Sequence, residues 1–190
     1  MTKVRINIEV SARHIHLTKN DFEVLFGKGE ILDIRNYLSQ PNLFASNKTV
    51  EVVGPEQAFN NVRVLGPFRE YSQVEISRSD AILTGINAPY KISGDLPGAK
   101  VRVIGPKGEI TKDIAIVPKR HIHLNNLEAQ KLKLRSGQHL SVSVGGNRST
   151  IFHNVEVRVA ENFKKTCHLD TDEGNSAGID KRTTGIMTRQ

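Results

Sequence analysis

Val10-Ser11-Ala12-Arg13-His14-Ile15-His16-Leu17-Thr18 is answered, past the middle of the chain, by Val117-Pro118-Lys119-Arg120-His121-Ile122-His123-Leu124-Asn125. The shared core is Arg-His-Ile-His, and it uses four of the seven histidines. Aliphatic residues flank both copies, so each reads as a short strand. Side chains alternate faces along a strand with period two. His14 and His16 therefore share one face, and so do His121 and His123. Two imidazoles on one strand face form half of a transition-metal site. Two such halves allow one metal shared between halves or a pair of metals. The other reading is a solvated strand face repeated because a fold unit was duplicated.

Size and composition narrow the class. The chain has 190 residues, enough for one compact domain or two small ones. Its apolar runs are too short to span a membrane, and its first ten residues lack the apolar core of a signal peptide. The single Cys167 excludes an internal disulfide framework and fits a reducing compartment, so a soluble, intracellular protein is expected. The net charge is +7, but Lys and Arg are dispersed among acids. There is no tryptophan and aromatics make up 5%, a poor basis for stacking nucleic-acid bases. A small polyanion, such as phosphate or a coenzyme, suits this distribution better than nucleic acid or a membrane surface.

Outward from the two histidine stretches, the alternation of Val4, Ile6, Ile8 and Val10 predicts a half-buried strand over 3–10. Further strands are expected over 48–54, 61–67, 73–77, 100–106, 109–117, 138–144, 150–159 and 165–171. Three helix starts carry a capping residue followed three positions later by an acid: Thr18 with Asp21, Ser77 with Asp80, and Asn125 with Glu128. Gly27, Gly85 and Gly137 are the expected stops. The polar, glycine-rich stretch from Asp172 to Gly185 reads as loop and frayed tail. Residues 88–99 hold two prolines and two glycines, and Val101-Arg102-Val103 after them echoes Val62-Arg63-Val64. This places a boundary near residue 92, with halves 1–92 and 93–190 between which strands could exchange. The fold class is mainly β: two related β-barrel domains with short capping helices.

The strand ends share a layout. His16, Glu75 and His123 each lie two residues before a cap, so Glu75 stands where the second histidine stands in the Arg-His-Ile-His strands. It is a candidate carboxylate ligand, or else a solvent-facing glutamate. His168, in Thr166-Cys167-His168-Leu169-Asp170, is a further candidate, with Asp170 on its face as a partner for the second ring nitrogen. Cys167 faces the other way. His139 and His153 have no partner nearby and read as structural. Nitrogen-rich ligation without thiolate suits zinc, with cobalt, nickel, iron and copper open. Arg69, just before Glu75, could grip an oxyanion bidentately or lie exposed.

Taken in order, V-S-A-R-H-I-H-L-T, N-V-R-V-L-G-P-F-R with Q-V-E-I-S-R-S-D-A, S-G-D-L-P-G, V-P-K-R-H-I-H-L-N and H-L-D-T-D-E-G-N resemble the PduL family of phosphate acyltransferases, also called phosphate propanoyltransferases. The resemblance runs from about residue 4 to residue 175. It implies two β-barrels with a dinuclear zinc site between them. It also implies reversible conversion of acyl-CoA and phosphate into acyl phosphate and free coenzyme A. Carried onto this chain, the zinc ligands are His14, His16, Glu75, His121, His123 and His168, and Arg69 holds phosphate. Direct attack by phosphate is expected, without an acyl-enzyme. Arg13, Arg120 and Lys119 are candidates for the coenzyme A phosphates. Microcompartment members of the family often carry an N-terminal extension; here the first strand starts near residue 3, which favours a free cytoplasmic enzyme. A metal-dependent hydrolase or thioesterase and a non-catalytic metal-binding module are the alternatives, and a homodimer is left open.

Overall fold

The computed structural model describes residues 3–189. In chain order the elements are β1 (Val4–Ser11), β2 (His14–His16), α1 (Lys19–Phe26), β3 (Asn36–Tyr37), β4 (Phe44–Val53), β5 (Ala58–Gly66), β6 (Gln73–Glu75), α2 (Arg78–Thr84) and β7 (Tyr90–Lys91). They continue with β8 (Ala99–Ile104), β9 (Glu109–Pro118), β10 (His121–Leu124), α3 (Asn126–Leu132), β11 (His139–Val144), β12 (Thr150–Val159), β13 (Thr166–Asp170), α4 (Thr171–Ser176) and β14 (Arg182–Arg189).

The chain forms two compact units: Arg13–Pro118, and Met1–Ala12 with Lys119–Gln190. A cut near residue 92 does not match this division. Strand β8, which the echo at 100–106 would assign to a second half, pairs with β4 and β9 in the same barrel as β5. The proline- and glycine-rich stretch before it is an internal connection of that unit.

The unit of residues 13–118 closes a six-stranded ring in the order β9-β6-β2-β5-β4-β8, with β3 added on β4 and β7 on β9. Inside lie Ile15, Val50, Val52, Val62, Val64, Val74, Val101 and Val103, closed over by Phe22 and Leu25 of α1. Phe22 is fully buried and stacks on Phe26 at 4.7 Å. The second unit closes a ring in the order β1-β13-β10-β12-β11-β14 around Ile6, Ile8, Ile122, Leu140, Val142, Val155, Val157, Cys167 and Met187.

The two rings are one arrangement used twice. β10, α3, β11, β12, β13, α4, β14 and β1 correspond in turn to β2, α1, β4, β5, β6, α2, β8 and β9. Each corresponding pairing has the same sense, parallel or antiparallel. The strand that completes each ring is exchanged: β1 runs into the histidine strand β2 of the other unit, and β9 runs into β10.

Two local expectations fail. Helix α3 stops at Leu132, not near Gly137, because Lys133 turns into the left-handed region (φ 53°) and its N–H bonds back into the helix. Leu134 can then pack on the barrel core. The stretch from Asp172 to Gly185 is not loop and frayed tail. Asp170 and Glu173 make a reciprocal capping box that starts α4, and β14 pairs along both β1 and β11 to close the ring. Gly174 is the residue that lets α4 approach β1: a Cβ there would stand 2.6 Å from a Val10 methyl.

Candidate metal centre

Strand β2 pairs in parallel with β5 and antiparallel with β6, and the register sets His14 opposite Glu75. Ile15 points into the core, so the period-two alternation turns both histidines to the other face. Their ring centroids are 5.1 Å apart. Glu75 joins them, with Oε2 at 3.5 Å from His14 Nε2. One ligand atom from each of His14, His16 and Glu75 lies within 4.8 Å of the other two. All three are buried, at 7%, 2% and 6% exposure. His16 Nδ1 and Glu75 Oε1 are buried without a hydrogen-bond partner. Burial first, then the neighbouring His14 and Arg69, holds the His16 imidazole well below its ordinary pKa, so the ring is neutral and offers a lone pair.

The corresponding strand β10 pairs antiparallel with β13, and the register sets His121 opposite His168. His121, His123 and His168 again offer ligand atoms within 4.8 Å of one another. The three ring centroids are 4.6, 4.9 and 5.2 Å apart. His121 Nδ1 lies 2.9 Å from the Lys119 carbonyl, which can only accept, so Nδ1 carries the proton and Nε2 the lone pair. Phe163 stacks on His123 at 3.9 Å.

A buried carboxylate oxygen and a buried imidazole nitrogen, both partnerless and facing a shared centre, are costly unless something fills that centre. Each triad offers three hard or borderline donors and no thiolate, a set that fits a zinc-type cation with one position left for substrate. The residues present therefore fit a metal ion in either unit.

The structure differs from the spacing argument in one respect. Glu75 corresponds to His168, not to the second histidine of the repeat, because both lie directly opposite the first histidine. The helix-start layout also has a fourth member, with His168 two residues before the cap Asp170. Asp170 accepts from the Glu173 N–H at 2.9 Å as a cap, a different job from orienting His168.

Arg69 follows the cis Gly66-Pro67 bond, and its backbone N–H donates to the Leu17 carbonyl at 2.9 Å. Its Nη1 donates to Ser93 Oγ at 3.2 Å and its guanidinium lies over Tyr71 at 5.8 Å. It is close enough to His16 to depress that ring's basicity. Cys167 lies fully buried in the barrel core, and burial raises its thiol pKa far above the ordinary value. His153 does have a partner, Ser141 Oγ at 2.7 Å; the spacing that left it structural could not show a neighbour on the adjacent strand. Nothing in the local sequence of Ser93 and Tyr71 marks them as neighbours of Arg69. No helix among the described residues is long and apolar enough to cross a membrane.

Comparison with known proteins bears on the whole chain. The family model for phosphate propanoyltransferase matches residues 7–180. A phosphate propanoyltransferase of Levilactobacillus brevis is 45% identical over 187 residues, covering 97% of this chain and 89% of that protein. Those of Klebsiella pneumoniae and Thermotoga maritima are each 44% identical, over 92% and 90% of this chain and 84% and 83% of theirs. The chain belongs to the phosphate propanoyltransferase family.

Proposed function

We propose that this protein transfers a short acyl group, propanoyl or a neighbour such as acetyl, between coenzyme A and inorganic phosphate. In this reading it carries two metal ions, zinc foremost, one held by His14, His16 and Glu75 and one by His121, His123 and His168. The observation that carries it is the repetition: two units of a family member each turn three potential ligands onto one centre, at corresponding positions of the same ring.

Bound zinc would polarise a thioester carbonyl and stabilise a departing thiolate. The chain's own residues supply the rest. Arg69 presents paired N–H donors to phosphate oxygens, with Ser93 and Tyr71 limiting its swing. The phosphate oxygen attacks the thioester carbon, and the C–S bond breaks to release the coenzyme A thiolate. The protein contributes no covalent intermediate through Cys167, whose thiol faces the core and is not ionised. The proposed partners are small anions, not nucleic acid or membrane. The proposed setting is the cytoplasm, where one buried free thiol is ordinary.

The test is phosphate-dependent release of free thiol from propanoyl-CoA by protein whose bound metal is assayed in the same sample. Release needing both phosphate and metal supports the proposal. Release without phosphate makes the protein a thioesterase and removes the role given to Arg69. No release from metallated protein with acetyl-, propanoyl- or butanoyl-CoA leaves a metal-binding module.

A further inference from the structure

The arginine of each Arg-His-Ile-His stretch is a natural candidate for coenzyme A phosphates. In the folded chain both are already committed. Arg13 makes a two-pronged pair with Asp80, Nε to Oδ2 at 3.0 Å and Nη2 to Oδ1 at 2.7 Å. Asp80 is 4% exposed and is the third residue of α2, where Oδ2 also accepts from the Ser77 cap N–H. The Arg13 guanidinium lies 4.1 Å above the Phe59 ring.

In the other unit Arg120 Nε pairs with Glu173 Oε1 at 2.6 Å. Glu173 is the third residue of α4, and its Oε2 accepts from the Asp170 cap N–H at 3.1 Å. The Arg120 guanidinium lies 5.5 Å from the Phe152 ring. These are corresponding residues. His14 pairs with Arg63 and His121 with Glu156, and the phenylalanine stands four positions before that partner in both strands.

The strand with two histidines and the strand with the third ligand are held together over only three residue pairs in each unit, His14–His16 with Gln73–Glu75 and His121–His123 with Thr166–His168. The third ligand sits close to the corner where its strand turns into a helix. The arginine immediately before the first histidine grips the acid on the first turn of that helix. The two hydrogen bonds from Arg13 to Asp80 fix distance and angle together. Arg120 holds Glu173 through Nε, with Nη1 donating to the His153 carbonyl at 3.3 Å, and in both units the aromatic face restricts the arginine's rotamers.

We propose that Arg13 and Arg120 are positioning residues, each stapling its own histidine strand to the corner that carries the third ligand, so that each sets the metal affinity of its own triad. This rests on the reading that the triads hold metal.

Cobalt(II) is the probe, titrated into the metal-free full-length protein against a competing chelator, with the visible ligand-field bands recorded. Wild type is expected to take two ions. Arg13→Gln is expected to keep one site unchanged and to bind the other about 10–100-fold more weakly, the usual effect of losing an outer support of a ligand. Arg120→Gln weakens the complementary site. The bands lost in Arg13→Gln match those lost in Glu75→Gln, and those lost in Arg120→Gln match those lost in His168→Gln. Arg13→Lys, which keeps the charge but not the fork, recovers only part of the loss. Two unchanged cobalt sites in both arginine variants, with a raised KM for coenzyme A, would overturn the staple and return the arginines to substrate. Equal weakening of both sites by Arg13→Gln would also overturn it, as a general folding defect. A wild type that takes up no cobalt overturns the metal reading itself.

Discussion

Glu75→Gln should change stability in opposite directions depending on whether metal is bound. Glu75 Oε1 is buried with no hydrogen-bond partner in the chain, and so is Nδ1 of His16. Leaving such a polar atom unsatisfied costs about 1–3 kcal/mol. The amide keeps the shape and offers an N–H to the neutral His16 ring. Metal-free Glu75→Gln is therefore expected to be at least as stable as metal-free wild type. With metal, a ligand present at a hundred times its Kd adds about 2.7 kcal/mol to the folded state. For a unit of this size that is a Tm rise of roughly 10–20 °C, at about 4–8 °C per kcal/mol. The variant keeps the two imidazoles and loses the carboxylate donor, so it should forfeit the rise that belongs to this triad. The assay is thermal unfolding followed by circular dichroism, with chelator and with zinc, for wild type, Glu75→Gln and His168→Gln. A Glu75→Gln protein that keeps the full zinc-dependent rise, or that is destabilised without metal, would refute the reasoning.

Four further outcomes follow from named contacts. Arg69→Ala should raise the KM for phosphate roughly ten- to a hundred-fold, the equivalent of the ~1.5–3 kcal/mol of a charge-assisted hydrogen bond, while the KM for acyl-CoA stays near wild type; steady-state kinetics with each substrate varied decides it. Cys167→Ala should remain active, and native protein at neutral pH should resist iodoacetamide until denaturant is added, because the thiol is fully buried and un-ionised. Rapid labelling of active protein would contradict the packing. Phe22→Ala should cost about 3–5 kcal/mol in urea unfolding, since the ring is fully buried against Phe26 and Phe68; a loss under 1 kcal/mol would place α1 outside the core. Metal-free protein should lose stability as pH falls below about 6.5, the ordinary histidine value. His16 is held well below that value when folded, so the unfolded chain binds the proton first and stability rises with pH across this window. His16→Gln should flatten that slope in Tm measured against pH.

Much of this architecture is legible locally. The starts of α1, α2 and α3 fall where a cap and an acid three residues on place them, because capping is settled within one helical turn. Most strands lie within a few residues of the alternation that predicts them. The fourth start, at Asp170, carries the same signal and was hidden by its glycine-rich surroundings. The boundary near residue 92 is a different kind of difference. It rested on proline, glycine and a repeated Val-Arg-Val, all of which report chain direction and turn chemistry. None of them reports which strand a β-strand will pair with.

The phase of the two histidine strands was determined by the sequence alone. A period-two backbone with a buried isoleucine between two histidines can only turn both imidazoles to the opposite face. Tertiary structure decided everything that depends on register. Backbone hydrogen bonds between distant segments, not any local preference, set His14 opposite Glu75 and His121 opposite His168. The same pairings carried β1 and β9 each into the ring of the unit it does not lead into. They also tied Arg13 and Arg120 to acids far along the chain. Such pairings arise only when both barrels close, because a strand's edge can be satisfied by many partners and the closed ring with its buried core selects one of them.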